Sequence, residues 1–193
     1  MTTSSVDRVL VEHADIAEPF AVLRSSPLRL ARASVLIETG LLTVPMYQRS
    51  QEAYRLLETG LYLLQQAPDS DRWPLVYAFR LLSLAGLKPG LDCCVGCGRE
   101  PGKRSVSFCP AEGGVVCRRC RKEGMSDRDM CKLSVDTLRT LRMIMEAPEN
   151  RLPRFDFTRR TMTQAEEALF SFSAHQLGSH LRSLEFRRKR RAA

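Results

Sequence analysis

The sequence has no hydrophobic run long enough to cross a membrane and no recognisable secretory signal. A membrane-spanning helix needs about 18 or more consecutive apolar residues, and no apolar run in this 193-residue chain reaches that length. Residues 1–7 contain neither the basic segment nor the apolar segment of a signal peptide. We therefore expect no membrane partner, and the cysteine pattern described below leads us to expect a cytoplasmic protein.

The chain is also poor in residues that would build a catalytic site. Of its three histidines, His13, His175 and His180, the last two are five residues apart, whereas metal ligands on one helix face are four apart. There is no glycine-rich phosphate-binding loop, and no base lies near the thiol of Cys109 in sequence. The sequence therefore predicts a protein that is not an enzyme and has no catalytic residues.

The seven cysteines are the most informative residues. An odd number with two Cys-x-x-Cys pairs favours a reducing compartment over a set of disulfides. Nineteen residues separate the two pairs, and this arrangement is typical of a tetrathiolate zinc site. Four thiolates leave no open position on the ion, so we predict a structural Zn(II). Its predicted ligands are Cys94, Cys97, Cys117 and Cys120.

The residues around the pairs favour a metal-binding module over four reduced cysteines that align by chance. Gly96 lies inside the first pair and Gly98 follows it, which gives a tight turn the backbone freedom it needs. Residues 112–117 are typical of a hairpin turn that leads a short strand into the second pair. We interpret the remaining cysteines, Cys93, Cys109 and Cys131, as spare thiols.

The net charge of +8 is concentrated in two regions. Residues 1–92 carry nine basic and ten acidic side chains, and residues 133–181 carry six of each. Residues 93–132 carry nine basic and five acidic side chains, and residues 182–193 carry six and one. This pattern favours a binder of phosphate backbones over a basic surface that only aids solubility. The candidate DNA contacts are Arg99, Lys103, Arg104, Arg118, Arg119, Arg121, Lys122, Arg187, Arg188, Lys189, Arg190 and Arg191.

Apolar residues recur at helical spacing over most of the chain, and such stripes more often face a core than a ligand. The predicted fold class is mainly α, a helical domain with an inserted four-cysteine zinc-ribbon-like module. We predict one strand and an extended connector over 6–23, a loop over about 148–162, and five helices. The first helix begins at Pro27, and the other four cover 50–66, about 72–86, about 135–147 and about 163–187. Ser50, Ser134 and Thr163 are the predicted helix starts.

Several stretches resemble the bacterial recombination mediator family RecO. Residues 91–98, Leu-Asp-Cys-Cys-Val-Gly-Cys-Gly, and residues 107–117, Ser-Phe-Cys-Pro-Ala-Glu-Gly-Gly-Val-Val-Cys, are similar to the zinc module of that family. Residues 79–89 resemble the segment before that module, and residues 180–186 resemble the family's C-terminus. The resemblance covers about residues 6–187.

The resemblance implies a role in DNA repair and homologous recombination, in the RecF pathway. It implies binding of DNA, annealing of strands, and assistance to RecA loading with RecR and single-strand-binding protein. The expected partners are DNA, RecR and single-strand-binding protein, with RecA indirectly, in a cytoplasmic, nucleoid-associated protein. The alternative is a zinc-ribbon module that binds protein or RNA in transcription or translation. A metalloenzyme is disfavoured because a catalytic zinc needs an open position.

The family's N-terminal OB-fold barrel is matched only by its last strand and connector. Residues 6–23 are too few for five strands, so the chain is truncated, its start is internal, or the barrel is lost. We expect at most a remnant strand of an OB fold and its connector over 1–26. The RecO-like helical domain then covers 27–187, with its zinc module at 91–124, and a basic tail covers 188–193.

Overall fold

The computed structural model describes residues 12–44, 49–101, 105–121 and 130–192. The predicted fold class is confirmed, because helices dominate these residues and a small sheet accompanies the four cysteines. None of the helices described is both long and apolar enough to cross a membrane. The helices are α1 (Ala21–Arg24), α2 (Pro27–Thr43), α3 (Gln51–Gln66), α4 (Arg72–Leu84), α5 (Val135–Glu146), α6 (Arg159–Gln176) and α7 (Arg182–Ala192); the strands are β1 (Ser105–Cys109), β2 (Gly114–Val116) and β3 (Cys131–Ser134).

Helix α4 is the centre of the helical body. It packs against α2, α3, α5 and α6, and it buries nine of its 13 residues. These include the predicted stripe residues Trp73, Val76 and Tyr77. Gly60 of α3 permits the close contact with α4, because an added Cβ would lie 3.0 Å from the ring of Tyr77. Core packing is therefore the correct interpretation of this apolar stripe.

Local hydrogen bonds explain where the predicted helices begin. The hydroxyl of Ser50 accepts the amide hydrogen bond of Ala53 at the start of α3, and Ser134 does the same for Thr137 at the start of α5. Pro27 occupies the first turn of α2, where a missing amide hydrogen costs nothing. These three predicted starts are confirmed.

The prediction for the C-terminal third is wrong in three respects. The segment predicted as a loop contains a 3-10 helix, Glu149–Arg154. Helix α6 begins earlier than the predicted 163, because the hydroxyl of Thr158 accepts the amide hydrogen bond of Thr161 at 3.1 Å. The single predicted helix is also two, since Gly178 adopts a left-handed conformation, with φ 68°, between α6 and α7.

The sheet of the four-cysteine module continues into the helical body. Its strand order is β2-β1-β3, and both pairs are antiparallel. The hairpin predicted for residues 112–117 is confirmed as the β1–β2 connection, but β3 was not predicted. Because β3 ends at Ser134, the capping residue of α5, the third strand leads directly into a helix. The ring of Phe108 in β1 lies 6.3 Å from the ring of Phe172 in α6.

The basic C-terminal segment is folded rather than a free tail, because helix α7 extends to Ala192. Arg187 is fully buried and donates a hydrogen bond of 2.7 Å to the carboxylate of Asp71. The guanidinium of Arg187 also lies 3.9 Å from Glu166, and Arg32 donates to the same oxygen of Asp71 at 2.8 Å. The prediction that Arg187 contacts DNA is therefore wrong, since its charge lies inside the protein.

The N-terminal region differs from its prediction where the structure describes it. The predicted strand residues 6–11 lie outside the described residues. The connector after them is not extended throughout, because Ala21–Arg24 form helix α1. The ring of Phe20, just before this helix, lies 5.3 Å from the ring of Tyr62 in α3, which fixes the connector against the helical body.

Candidate metal centre and basic surface

The structure brings the four predicted metal ligands into one compact group. The sulfur atoms of Cys94, Cys97, Cys117 and Cys120 all lie within 4.8 Å of one another. A zinc ion with four bonds of about 2.3 Å in tetrahedral geometry would hold its sulfurs about 3.8 Å apart. The distance of 3.7 Å between the sulfurs of Cys97 and Cys117 fits that geometry. The other three cysteines do not belong to the group.

The first pair lies on a turn that points both thiols in one direction. The carbonyl oxygen of Cys94 accepts hydrogen bonds from the amides of Cys97, at 3.3 Å, and Gly98, at 2.8 Å. Gly98 has φ 70°, so glycine is the residue that adopts this turn without strain. The amide of Cys94 donates to the carbonyl oxygen of Arg99 at 2.8 Å, which closes the turn.

The second pair approaches the first so closely that a side chain between them would collide. An added Cβ at Gly96 would lie 3.0 Å from the Cβ of Cys120 and 3.2 Å from its sulfur. The amide of Cys117 donates a hydrogen bond of 3.3 Å to the sulfur of Cys94. Hydrogen bonds from amides to sulfur are typical of thiolates and help to hold their negative charge.

Close packing around the sulfurs moves the pKa values of two of these thiols in opposite directions. Burial raises the pKa of Cys94, but amide hydrogen bonds, first from Cys117, outweigh this and lower the pKa to about 6. The pKa of Cys120 is raised to about 12, chiefly by hydrogen bonds of its thiol with Cys97 and Cys117. Thiolates this close repel one another, and a divalent cation removes that repulsion. The donor set is therefore suited to a soft ion such as Zn(II), which takes sulfur ligands in tetrahedral geometry.

Close backbone packing fixes the strand that leads to the second pair. Gly90 pairs with Gly114, and the carbonyl oxygen of Gly90 accepts the amide hydrogen bond of Val115 at 2.8 Å. An added Cβ at Gly114 would lie 2.4 Å from that carbonyl oxygen, well inside contact distance. The first cysteine turn joins the same edge, because the amide of Val95 donates to the carbonyl oxygen of Val115.

Two side chains of the helical body hold the module in place. Arg142 of α5 donates to the carbonyl oxygens of Leu91 and Asp92, just before the first cysteine pair. Gln176 of α6 donates to the carbonyl oxygens of the hairpin turn, at 2.8 Å for that of Pro110. The cysteines are therefore anchored to two different helices, which limits their movement relative to the body.

The predicted DNA contacts fall into distinct structural groups. Arg99, Arg118 and Arg119 are exposed, and Arg121 is half-buried. In α7, Arg188 lies over the ring of Phe170 at 4.6 Å, and Lys189 pairs with Glu185 at 2.8 Å. Arg187 is buried, as described above. Lys103, Arg104 and Lys122, together with the side chains of Arg190 and Arg191, lie outside the part of the chain that the structure describes.

Sequence reasoning missed one basic residue beside the cysteines. Lys132 is exposed on β3 and lies opposite Ser107 of β1. It follows Cys131, which we interpreted only as a spare thiol, and its strand was not predicted. Alternation of buried Cys131 and Leu133 around an exposed lysine is the strand pattern that would have indicated it.

Comparison with known proteins matches these features to one family. The family model described as recombination protein O C terminal matches residues 24–185. A DNA repair protein RecO from Symbiobacterium thermophilum is 32% identical over 180 residues, which cover 91% of this chain and 70% of that relative. Another DNA repair protein RecO, from Syntrophus aciditrophicus, is 30% identical over 177 residues, which cover 91% of this chain and 68% of that relative. The match extends through the cysteine module and both flanking groups of helices, and the chain therefore belongs to the RecO family of DNA repair proteins.

Proposed function

We propose that this protein acts in DNA repair and homologous recombination as a mediator of the RecF pathway. In this role it binds DNA, assists strand annealing and assists RecA loading together with RecR and single-strand-binding protein. It works in the cytoplasm, associated with the nucleoid, by binding rather than by catalysis. The observation that carries the proposal is family membership over residues 24–185, which include the cysteine module. The exposed arginines of that module give the DNA-binding part of the proposal a physical basis.

The metal in this proposal is a structural Zn(II) held by the four grouped cysteines. Bound zinc would supply the folding energy of the two cysteine turns, because four sulfur ligands fill its coordination. Arg118 and Arg119 lie between Cys117 and Cys120 in the second turn. The amide of Cys120 donates to the carbonyl oxygen of Cys117 at 3.0 Å, so this turn is closed by its own hydrogen bond. The two exposed arginines are thus held on a short, constrained loop.

Constrained arginines are well suited to phosphate contacts without base recognition. A guanidinium that is already positioned loses less side-chain entropy when it meets a phosphate than a mobile one does. The basic residues of α7 are less available, since Lys189 pairs with Glu185 and Arg188 lies over Phe170. Contacts with the backbone alone give binding that is independent of sequence and sensitive to salt.

A salt titration of DNA binding tests the proposal. Fluorescence anisotropy of labelled single-stranded DNA should give a log affinity that falls linearly with log salt concentration. Replacing both Arg118 and Arg119 by Ala should reduce that slope by about 1.4, at roughly 0.7 for each lost contact on a single strand. Replacing both Arg188 and Lys189 by Ala is the control with the same charge change, and its effect should be smaller. No DNA binding by the unmodified protein at low salt would refute the DNA-binding part of the proposal.

The proposed binding to RecR needs a separate measurement. The protein should co-purify with RecR from the same organism at micromolar concentrations. The variant Arg142→Ala shows whether the complex with RecR depends on the attachment of the module to α5, because it loosens that attachment without removing a cysteine. Absence of a complex with RecR would contradict the mediator role while leaving DNA binding intact.

A further inference from the structure

The two faces of the small sheet have different surroundings. Side chains alternate along β1, so Val106 and Phe108 face the helical core. The opposite face carries Cys109, which packs with Cys94 of the first cysteine turn. Ser107 lies on that same outer face because it is in phase with Cys109. The sheet is thus covered by helices on one side and by the cysteine turns on the other.

The strand register places a short row of residues on this outer face, of which Ser107 and Lys132 are polar. Ser107 lies opposite Val116 of β2 on one side and opposite Lys132 of β3 on the other. In an antiparallel sheet, directly opposed residues project to the same face. The amine of Lys132 therefore extends over the surface that the second cysteine turn borders.

A cavity of about 550 Å³ lies between this row and the second cysteine turn. Its basic lining comes from two separate parts of the chain, Arg118 and Arg121 from the turn and Lys132 from β3. Ser107 contributes a hydroxyl to the wall. No carboxylate lines the cavity among the residues that the structure describes. Its volume lies within the range of about 300–1,000 Å³ that is usual for pockets that hold small ligands.

The chemistry of this lining selects an anion with several oxygens. The like charges of Arg118 and Lys132 face one cavity, and a bound anion would offset the repulsion between them. Arginine forks bind two phosphate oxygens at once, lysine binds as a point charge, and a serine hydroxyl can donate to a further oxygen. A concave wall lined by one sign of charge also concentrates the field on a ligand inside it.

We propose that this cavity is a phosphate-binding site that holds one backbone phosphate of the bound nucleic acid, between Lys132 of β3 and Arg118 of the second cysteine turn. The inference rests on the proposed function, because the phosphate it holds belongs to the DNA strand. This site adds Lys132 and Ser107 to the proposed DNA-contact surface. It also gives Arg118 a different role from that of its neighbour Arg119. Arg118 lines the cavity, whereas Arg119 is exposed next to it and does not.

Arg119 provides a matched control for Arg118, because it is the adjacent arginine and lies outside the cavity. The experiment measures binding of a fluorescein-labelled single-stranded oligonucleotide by anisotropy at several salt concentrations. Lys132→Ala should weaken binding roughly fivefold at about 0.1 M salt and reduce the salt slope by about 0.7, the values for one lost phosphate contact. Lys132→Arg should restore most of the binding. Zinc content and the urea midpoint of each variant verify that it is folded.

A double-mutant cycle shows whether Lys132 and Arg118 hold the same phosphate. If they do, Lys132→Ala combined with Arg118→Ala should weaken binding by less than the product of the two single effects. Lys132→Ala combined with Arg119→Ala should give the full product. Equal behaviour of the two combinations, or an affinity of Lys132→Ala equal to that of the unmodified protein, would overturn the inference while the proposed function stands. Failure of the unmodified protein to bind DNA would instead refute the proposed function.

Inorganic phosphate distinguishes a strand phosphate from a free anion. Both carry the chemistry that the cavity recognises, so phosphate at millimolar concentration should displace the oligonucleotide more than chloride of equal ionic strength does. This excess displacement should disappear in Lys132→Ala. Phosphate binding that shifts the amide signals of Ser107 and Lys132, with DNA affinity unaffected by Lys132→Ala, would indicate a free-anion site and contradict the strand-phosphate proposal.

Discussion

Replacing Arg187 by methionine should destabilise the protein far more than the same change at its neighbour Arg188. Arg187 is fully buried and donates to Asp71 at 2.7 Å, with Glu166 at 3.9 Å. Methionine keeps most of the apolar stem but removes the charge. The change therefore tests the buried ion pairs rather than the packing of α7 against α2.

The size of the effect follows from what remains after the change. Asp71 keeps its hydrogen bond of 2.8 Å from Arg32, so that carboxylate stays compensated. The side chain of Glu166 is 5% exposed and loses the cation next to it. Loss of one partner of a buried ion pair costs about 3–5 kcal/mol, and the presence of Arg32 places our expectation at about 3 kcal/mol. For a chain of this size that corresponds to a fall in Tm of roughly 6–12 °C.

Urea unfolding followed by tryptophan fluorescence measures this effect. Trp73 is the single tryptophan of the chain, is 5% exposed, and lies in α4 at the centre of the body. Arg188→Met is the matched control, because it removes only the exposed contact over Phe170, worth about 0.5–1 kcal/mol. Equal urea midpoints for Arg187→Met and Arg188→Met would refute the assignment of Arg187 to a buried ion-pair network.

Two pairs of substitutions, each a test with its control, probe the cysteine module. Cys97→Ser should abolish stoichiometric zinc in elemental analysis, whereas Cys109→Ser should leave it unchanged, because Cys109 is outside the four-sulfur group; equal loss from both would contradict the ligand assignment. Gly114→Ala should lower the urea midpoint, since its Cβ would lie 2.4 Å from the carbonyl oxygen of Gly90. Gly40→Ala, where the nearest atom is 4.0 Å away within a helix, should instead stabilise the protein by about 0.5–1 kcal/mol, and the opposite order of midpoints would be inconsistent with this packing.

Features with a local cause were predictable from the sequence. The starts at Ser50 and Ser134 depend on a hydroxyl and an amide three residues apart, so the chain itself contains both partners. The grouping of the four cysteines was predictable for a similar reason, because each turn is closed within a few residues and only the pairing of the two turns is distant in sequence. The stripe around Trp73 follows from helical spacing alone.

Features that depend on distant partners were not predictable in the same way. Arg187 belongs to a dense basic run, and only the fold brings Asp71 and Glu166 to it. One signal was present: Arg187 follows Leu184 by three residues, which continues the apolar stripe of the helix onto its buried side. Strand β3 escaped prediction because the alternation around Lys132 lasts only four residues, which is too short to be decisive, and because its partner β1 lies before the intervening hairpin.

The central claim is that a metal-held cysteine module presents a surface for the backbone of DNA. The most direct test compares DNA binding by the zinc-loaded protein with binding after zinc is removed by a chelator and after it is restored. We predict that zinc removal weakens binding to single-stranded DNA at least tenfold, that added Zn(II) restores it, and that Arg118→Ala with Arg119→Ala weakens the loaded protein but not the stripped one. Equal affinity of the loaded and stripped proteins for DNA, with zinc loss verified by elemental analysis, would contradict the claim.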